Sequence, residues 1–168
     1  MSPPPAHSYD ALDTMALRQA LGEFATGITV VTARGADNTL AGLTVNSFAS
    51  VSLDPPLVLW SLGLGSPSLP VFQTCSHFAV NVLAADQQAI TQRFAQSGAD
   101  KFADQSWKVG AGGTALLDGC NAWFECRVDA RHEGGDHLIL IGRIEQFRRD
   151  PKPPLVFHRG RYVALTAD

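Results

Sequence analysis

Leu43-Thr44-Val45-Asn46-Ser47-Phe48-Ala49-Ser50-Val51-Ser52, stopped by Asp54-Pro55-Pro56, is the stretch that decides the fold class of this chain. β-Branched and aromatic residues alternate along it, which predicts a strand. One face would carry Leu43, Val45, Ser47, Ala49 and Val51 towards a core. The other would carry Thr44, Asn46, Phe48, Ser50 and Ser52. An ordinary solvent face uses Lys and Glu. A row of short neutral donors and acceptors suits either a flat, polar, mostly uncharged ligand lying on the sheet or a solvent face rich in Ser and Thr.

The neighbouring segments also read as strands joined by short turns. Ile28–Thr32 is β-branched, Arg34–Leu40 with Gly35, Asp37 and Asn38 is a turn, and Leu57–Leu62 starts a new strand after the prolines. Phe78–Leu83 predicts a strand with Phe78, Val80 and Val82 on one face. Trp123–Ala130 predicts another, with Phe124, Cys126 and Val128 inward and Glu125, Arg127 and Asp129 outward. Glu133-Gly134-Gly135-Asp136 turns into a strand His137–Phe147, and Phe157–Tyr162 is a tight hairpin or corner. Helices are fewer. Asp13 is a predicted N-cap, followed by an apolar stripe of Leu17, Leu21 and Phe24. Asp86 is predicted to cap a second helix carrying Ile90 and Phe94, and Ser68–Phe72 predicts a short helical turn. About seven strands and two or three helices, with few helices between strands, favour a mainly β antiparallel barrel or sandwich over a doubly wound sheet. Residues 1–12, with Pro3, Pro4 and Pro5, read as a flexible tail, and 13–168 as one domain.

Composition narrows the function classes. The 168 residues are 45% hydrophobic and 17% charged, with a formal net charge of −3, which excludes a nucleic-acid-binding surface built on basic runs. No apolar stretch has the length of a bilayer-spanning helix, and the N-terminus lacks the basic and apolar regions of a signal peptide, so the expected location is cytoplasmic. Cys75, Cys120 and Cys126 include no CxxC pair and read as free, buried thiols. No G-x-G-x-x-G opens a helix after a strand, and no Walker A sequence occurs. His132 and His137, even with Asp136 and His158, match no zinc spacing, so no metal is expected. Ser66 is followed by Pro67, which removes an oxyanion-hole N–H and excludes a nucleophile elbow.

The remaining polar pieces are binding groups. Ser61, Ser66 and Ser68 flank a loop whose backbone N–H groups could wrap a phosphate. Lys101 is either a point charge for that phosphate or a solvated lysine. His137, at the mouth of a strand, could stack on or hydrogen-bond a ring, or simply sit at the core edge. Arg159-Gly160-Arg161-Tyr162 offers two cations and an aromatic, suited to a second anionic nucleotide or to an exposed hairpin.

Taken in order, these pieces resemble the flavin reductase family, the small split-barrel reductases that serve two-component flavin monooxygenases. The matching residues are Ala25–Thr32, Gly42–Val58, Phe78–Leu83, Phe94-Ala95, Asp100-Lys101-Phe102, Gly135-Asp136-His137 and Gly160-Arg161-Tyr162, spread over roughly residues 16–165. The resemblance implies an FMN-binding split barrel, an antiparallel Greek-key barrel with flanking helices that forms a homodimer. It also implies NAD(P)H-dependent reduction of FMN or FAD for a partner monooxygenase. Thr44, Asn46, Ser47 and Ser50 would lie near the isoalloxazine and ribityl groups, with backbone N–H groups of the Val45–Ser47 stretch on the flavin carbonyls. Ser61, Leu62, Ser66, Ser68, Lys101 and Phe102 would hold the phosphate end. His137, Arg159, Gly160, Arg161 and Tyr162 would meet NADH or NADPH, His137 in an orienting role without obligatory proton transfer. The flavin carries the hydride chemistry, which accounts for the missing acid, base and nucleophile motifs. Two other functions fit the same residues: a flavoprotein with bound FMN that reduces a ferric chelate or a corrinoid, and a non-catalytic flavin-binding protein.

Overall fold

The structure, a computed structural model, describes residues 12–98 and 100–165. The expected tail therefore lies, apart from Leu12, outside the described residues. The chain is mainly β. Strands β1 (Thr26–Gly27), β2 (Thr29–Arg34), β3 (Leu40–Val45), β4 (Ala49–Leu53), β5 (Pro56–Gly63), β6 (His77–Val82), β7 (Trp107–Val109), β8 (Ala115–Leu117), β9 (Ala122–Gly134), β10 (His137–Arg149), β11 (Val156–His158) and β12 (Arg161–Val163) are joined by helices α1 (Thr14–Gly22), α2 (Leu69–Thr74) and α3 (Gln88–Ala95). Seven strands form the main antiparallel sheet in the order β3-β2-β6-β9-β10-β5-β4.

That order makes the sheet a barrel. β3 and β4 are its two edges, yet only residues 46–48 join them. Laid flat, seven strands would hold those edges about 29 Å apart, at about 4.8 Å per strand. The four steps from Val45 to Ala49 reach about 14 Å at most. The sheet must curl until its edges nearly meet, with the split between β3 and β4.

The predicted single strand over Leu43–Ser52 is therefore two strands on opposite edges, a correction with consequences for side-chain direction. Leu43 and Val45 pack against the barrel core as expected, but Phe48, expected on the ligand face, turns into that core and stacks on Phe124 with centroids 5.7 Å apart. Ala49 and Val51, expected inward, are exposed. The crossing at 46–48 and a register shift between Ser50 and Ser52 break the period of two.

The barrel interior is filled by Trp60, Phe72, Phe78, Val31, Leu138 and Leu140, with Trp60 edge-on to both phenylalanines. A second core outside the barrel packs α3, through Phe94, on Val30, Leu83, Leu117 and Trp123. The β9–β10 hairpin follows its predicted alternation, with Phe124, Cys126 and Val128 on the core side and a turn at Glu133–Asp136. Gly142 sits where β10 shifts register, and any side chain there would collide with the Phe78 ring.

Two helix expectations need correction. Asp13 does cap α1, accepting from the N–H groups of Met15 and Ala16. The stripe it introduces, however, is not core: Leu17, Leu21 (66% exposed) and Phe24 (79% exposed) face outward, and no residue of α1 is buried. α3 is not capped by Asp86. It follows a 3-10 turn, Ala85–Gln87, where the buried Gln87 amide accepts from Ala84 N–H at 3.0 Å and donates to Asp118 O at 2.8 Å. Among the described residues no helix is long and apolar enough to cross a membrane.

All three cysteines are free and buried, and burial pushes the Cys120 and Cys126 thiols up to about 12. Ellman's reagent at mildly alkaline pH is expected to leave all three unreacted in the native protein and to titrate them after denaturation. Rapid native reaction would contradict their burial.

Candidate functional site

The β3–β4 corner at the barrel's split carries the first of the predicted binding residues. Ser47 Oγ donates to Ser61 O at 3.2 Å and accepts from Ser61 N–H at 3.0 Å. One hydroxyl thus stands in for a backbone pair and pins the corner to β5. Thr44 points the other way: its Oγ1 donates to Thr91 O on α3 at 2.7 Å. Val45 offers its carbonyl to Thr29 Oγ1 at 3.2 Å. Asn46 and Ser50 are exposed beside the corner.

β5 leads from Ser61 into the Gly63–Ser68 loop, alongside the start of β10. Ser61 pairs with Ile139, Leu62 with Leu138 and Gly63 with His137. The Leu62 side chain is buried in the barrel core, which leaves only its backbone for a ligand. The loop is held by Ser66 N–H on Gly63 O (3.0 Å), Leu69 N–H on Ser66 O (3.0 Å) and Ser68 N–H on Ser66 Oγ (3.3 Å). Leu64 N–H donates to Asp136 O at 2.9 Å, joining this loop to the turn that presents His137. His137 Nδ1 lies 2.6 Å from Asp136 Oδ1. That hydrogen bond, reinforced by the nearby imidazole and the more distant Arg18, holds the Asp136 carboxyl below the usual range. With Nδ1–H donated to Asp136, Nε2 is left free over Gly63.

Ser68, Lys101 and Phe102 line one cleft of about 210 Å³ with Thr39, Gly42 and Ser97. Lys101 Nζ donates to Gly42 O and Phe94 O, both at 3.1 Å. Burial lowers its pKa. Among the described residues no carboxylate forms an ion pair with it. Asp100, also in the wall, spends Oδ1 on the N–H groups of Phe102 and Ala103. Phe102 is edge-on to Phe94 (5.1 Å) and Trp107 (6.0 Å). These rings close over Gly42, where a Cβ would lie 2.7 Å from Phe94 and 2.9 Å from Phe102. An ammonium in a half-buried cleft, among hydroxyls and without a paired carboxylate, has the donor chemistry of a phosphate site.

The Arg159–Tyr162 segment is split between two roles. Arg159 and Gly160 form the turn of the β11–β12 hairpin at φ 50° and 75°. Arg159 is not free for a nucleotide: its Nε and Nη2 hold Glu23 Oε2 at 2.8 and 2.7 Å. Arg161 is exposed. Tyr162 packs beside Phe157, and its hydroxyl lies 2.7 Å from Thr91 Oγ1. Thr91 is fully buried and bonded to both Thr44 and Tyr162, so it ties β3 to the hairpin through α3. Sequence reading did not single out Thr39, Gly42, Ser97, Thr91 or Glu23. Thr91, a polar residue on the buried face of a helix, carried the one available signal.

Residues 21–166 match the model of the flavin reductase like domain. The chain is 44% identical over 150 residues to the FMN reductase (NADH) SmoA of Agrobacterium fabrum, covering 89% of this chain and 85% of that protein. It is 44% identical to the reductase component of the flavin-dependent trigonelline monooxygenase of Acinetobacter baylyi, covering 87% of this chain but 47% of that one. The NADH:FAD oxidoreductase SgcE6 of Streptomyces globisporus, solved with NAD and FAD fragments, superposes with a TM-score of 0.88 at 37% identity, over 93% of this chain and 94% of that one.

Proposed function

The chain belongs to the flavin reductase family, and on that premise we propose that it oxidises NADH, reduces FMN or FAD, and hands the reduced flavin to a separate monooxygenase. The observation that carries this reading is the Lys101 cleft, whose ammonium and Ser68 hydroxyl suit a phosphate; Ser68 lies on the loop that follows β5, the strand to which Ser47 is pinned and beside which His137 starts β10. When bound, flavin supplies the redox chemistry by accepting a hydride, two electrons with one proton, from the dihydronicotinamide.

The protein's own part is binding and orientation. Lys101, Ser66, Ser68 and Phe102 hold the phosphate end, with Ser61 and the Leu62 backbone beside them. The Val45–Ser47 backbone, Asn46 and Ser50 flank the ring, while the Thr44 hydroxyl is spent on Thr91 of α3. Donors aimed at the ring carbonyls favour the negative charge of the reduced state. His137 Nε2 orients the nicotinamide, and Gly160, Arg161 and Tyr162 border the rest of the dinucleotide. The outward stripe of Leu17 and Leu21 on α1, continued by Phe24 just beyond the helix, supports a homodimer in which a second copy covers it. Such an assembly would show twice the chain mass by light scattering. A cytoplasmic location suits a donor of free reduced flavin.

The test is anaerobic. Protein, NADH and excess free flavin are expected to bleach the flavin absorbance band over many turnovers. A protein that binds flavin without bleaching it would be a storage protein. Lys101→Ala is expected to raise the flavin Kd about 5- to 30-fold, the scale of one charge-assisted hydrogen bond at about 1–2 kcal/mol. An unchanged Kd in a fluorescence titration would remove Lys101 from the site.

A further inference from the structure

The buried side chains of α3 are Thr91 and Phe94, one turn apart on its inward face. Phe94 backs the Lys101 cleft. Its ring is edge-on to Phe102 and lies against Gly42, and its carbonyl accepts from Lys101 Nζ at 3.1 Å. That carbonyl is among the last four of the helix, which have no partner within it. Arg93 also reaches across, donating to Ala103 O. The end of α3 is thus stapled at two points to the segment that carries Lys101, and the ammonium stands where α3 stands.

Thr91 fixes that position. It is fully buried. Its Oγ1 lies 2.7 Å from Gln88 O and donates there, so it accepts from the Tyr162 hydroxyl, also 2.7 Å away, on β12. Its carbonyl accepts from Thr44 Oγ1 at 2.7 Å. Thr44 lies on β3 two residues from Gly42, whose carbonyl is the other acceptor for Lys101 Nζ. Apolar packing has no preferred direction, and a helix held by it alone slides at little cost. Hydrogen bonds have a definite length and angle. Thr91 therefore pins α3 to β3 on one side and to the β11–β12 hairpin on the other.

We propose that Thr91 is a positioning residue for the flavin phosphate, setting where Lys101 Nζ stands without touching the ligand. The inference rests on the functional reading above and deepens it. Lys101 spends two of its three N–H donors on Gly42 O and Phe94 O, which leaves one for a phosphate oxygen. Those two acceptors lie on β3 and α3, the elements that Thr91 joins. A shift of α3 along β3 moves the two carbonyls apart, and the ammonium then follows one of them away from the phosphate. The β3–β4 corner, which meets the ring, is pinned separately through Ser47 and Ser61. Loss of Thr91 should therefore cost affinity for the phosphate and not for the ring.

The experiment compares, by fluorescence titration of the full chain, the Kd for FMN with that for riboflavin, which has the same ring and ribityl chain but no phosphate. The wild type is expected to bind FMN at least about fivefold more tightly, the scale of one charge-assisted hydrogen bond, and Lys101→Ala to erase the difference. Thr91→Val keeps the side-chain shape and removes the hydroxyl. It is expected to raise the FMN Kd about 3- to 10-fold while the riboflavin Kd changes less than about twofold. Thr91→Ser, which restores the hydroxyl, should return the wild-type ratio. In a Lys101→Ala background Thr91→Val should have no further effect on FMN, because both act on the same bond. Should Thr91→Val not fold, Thr44→Val removes the pin from the strand side and is expected to weaken FMN and spare riboflavin. Equal losses for the two flavins, an undiminished preference for FMN in the folded variant, or an effect that persists in full without Lys101 overturns the proposal and leaves the phosphate site standing. A wild type that binds riboflavin as tightly as FMN, or a Lys101→Ala variant that keeps the preference, would instead refute Lys101 as the phosphate group and the proposal with it.

Discussion

Replacing Asn81 by leucine is expected to lower the unfolding free energy by about 2–4 kcal/mol and the flavin affinity with it. Asn81 is 0% exposed, one residue from the end of β6. Its Nδ2 donates to Val30 O at 3.0 Å and Ala115 O at 3.2 Å, and its Oδ1 accepts from Leu117 N–H at 2.8 Å. Leucine keeps the volume but leaves the Leu117 N–H and the Val30 carbonyl without those partners. Each unsatisfied buried group costs about 1–3 kcal/mol. Ala115 O is partly protected, because Thr32 Oγ1 also donates to it at 2.7 Å. The effect reaches the candidate site through β8, which pairs with β7, whose Trp107 packs on Phe102 in the Lys101 cleft. Urea unfolding and thermal melting measure the first part, with a Tm drop of about 4–16 °C for a chain of this size. Flavin titration of the folded variant measures the second. A loss under about 1 kcal/mol would mean that the three hydrogen bonds contribute little beyond what water offers the unfolded chain.

What could be read in the sequence is what local pattern determines. The β9–β10 hairpin was legible because Phe124, Cys126 and Val128 alternate with Glu125, Arg127 and Asp129, and Gly135 supplies the positive φ (64°) that the turn needs. Asp13 was legible as a cap because capping is decided within three residues. The division of Leu43–Ser52 was not legible, since it is set by closure of the barrel, which places β3 and β4 on opposite edges. The α1 stripe showed that a face is apolar without showing what would cover it. Arg159 read as a cation open to a nucleotide because its partner Glu23 lies 136 residues away along the chain. The candidate site follows the same rule. Thr44, Ser47, Ser61, Lys101 and His137 were visible as residue types, chiefly through the family resemblance, whereas Thr39, Gly42 and Ser97 join Lys101 only through folding.

His137→Ala is expected to raise the KM for NADH about tenfold or more while shifting the flavin Kd less than about threefold, the pattern of lost substrate binding at an intact flavin site. The imidazole is 47% exposed, so its removal leaves no cavity in the core, and the barrel should melt within a few degrees of the wild type. Its ring is oriented from one side only: Nδ1 lies 2.6 Å from Asp136 Oδ1, and Nε2 is left free for a ligand. Asp136→Asn should therefore reproduce part of the effect by loosening the ring without deleting it. The pH dependence separates orientation from acid catalysis. Asp136 titrates below its ordinary value in the folded protein, so its contact with His137 is complete above the unfolded aspartate value of about 3.9. That contact is lost only as pH falls through the lower folded value. Activity limited by this pair should therefore show no acid limb between about pH 5 and 8 assignable to Asp136. If His137→Ala instead left the NADH KM unchanged and abolished flavin binding, the histidine would belong to the flavin side of the site.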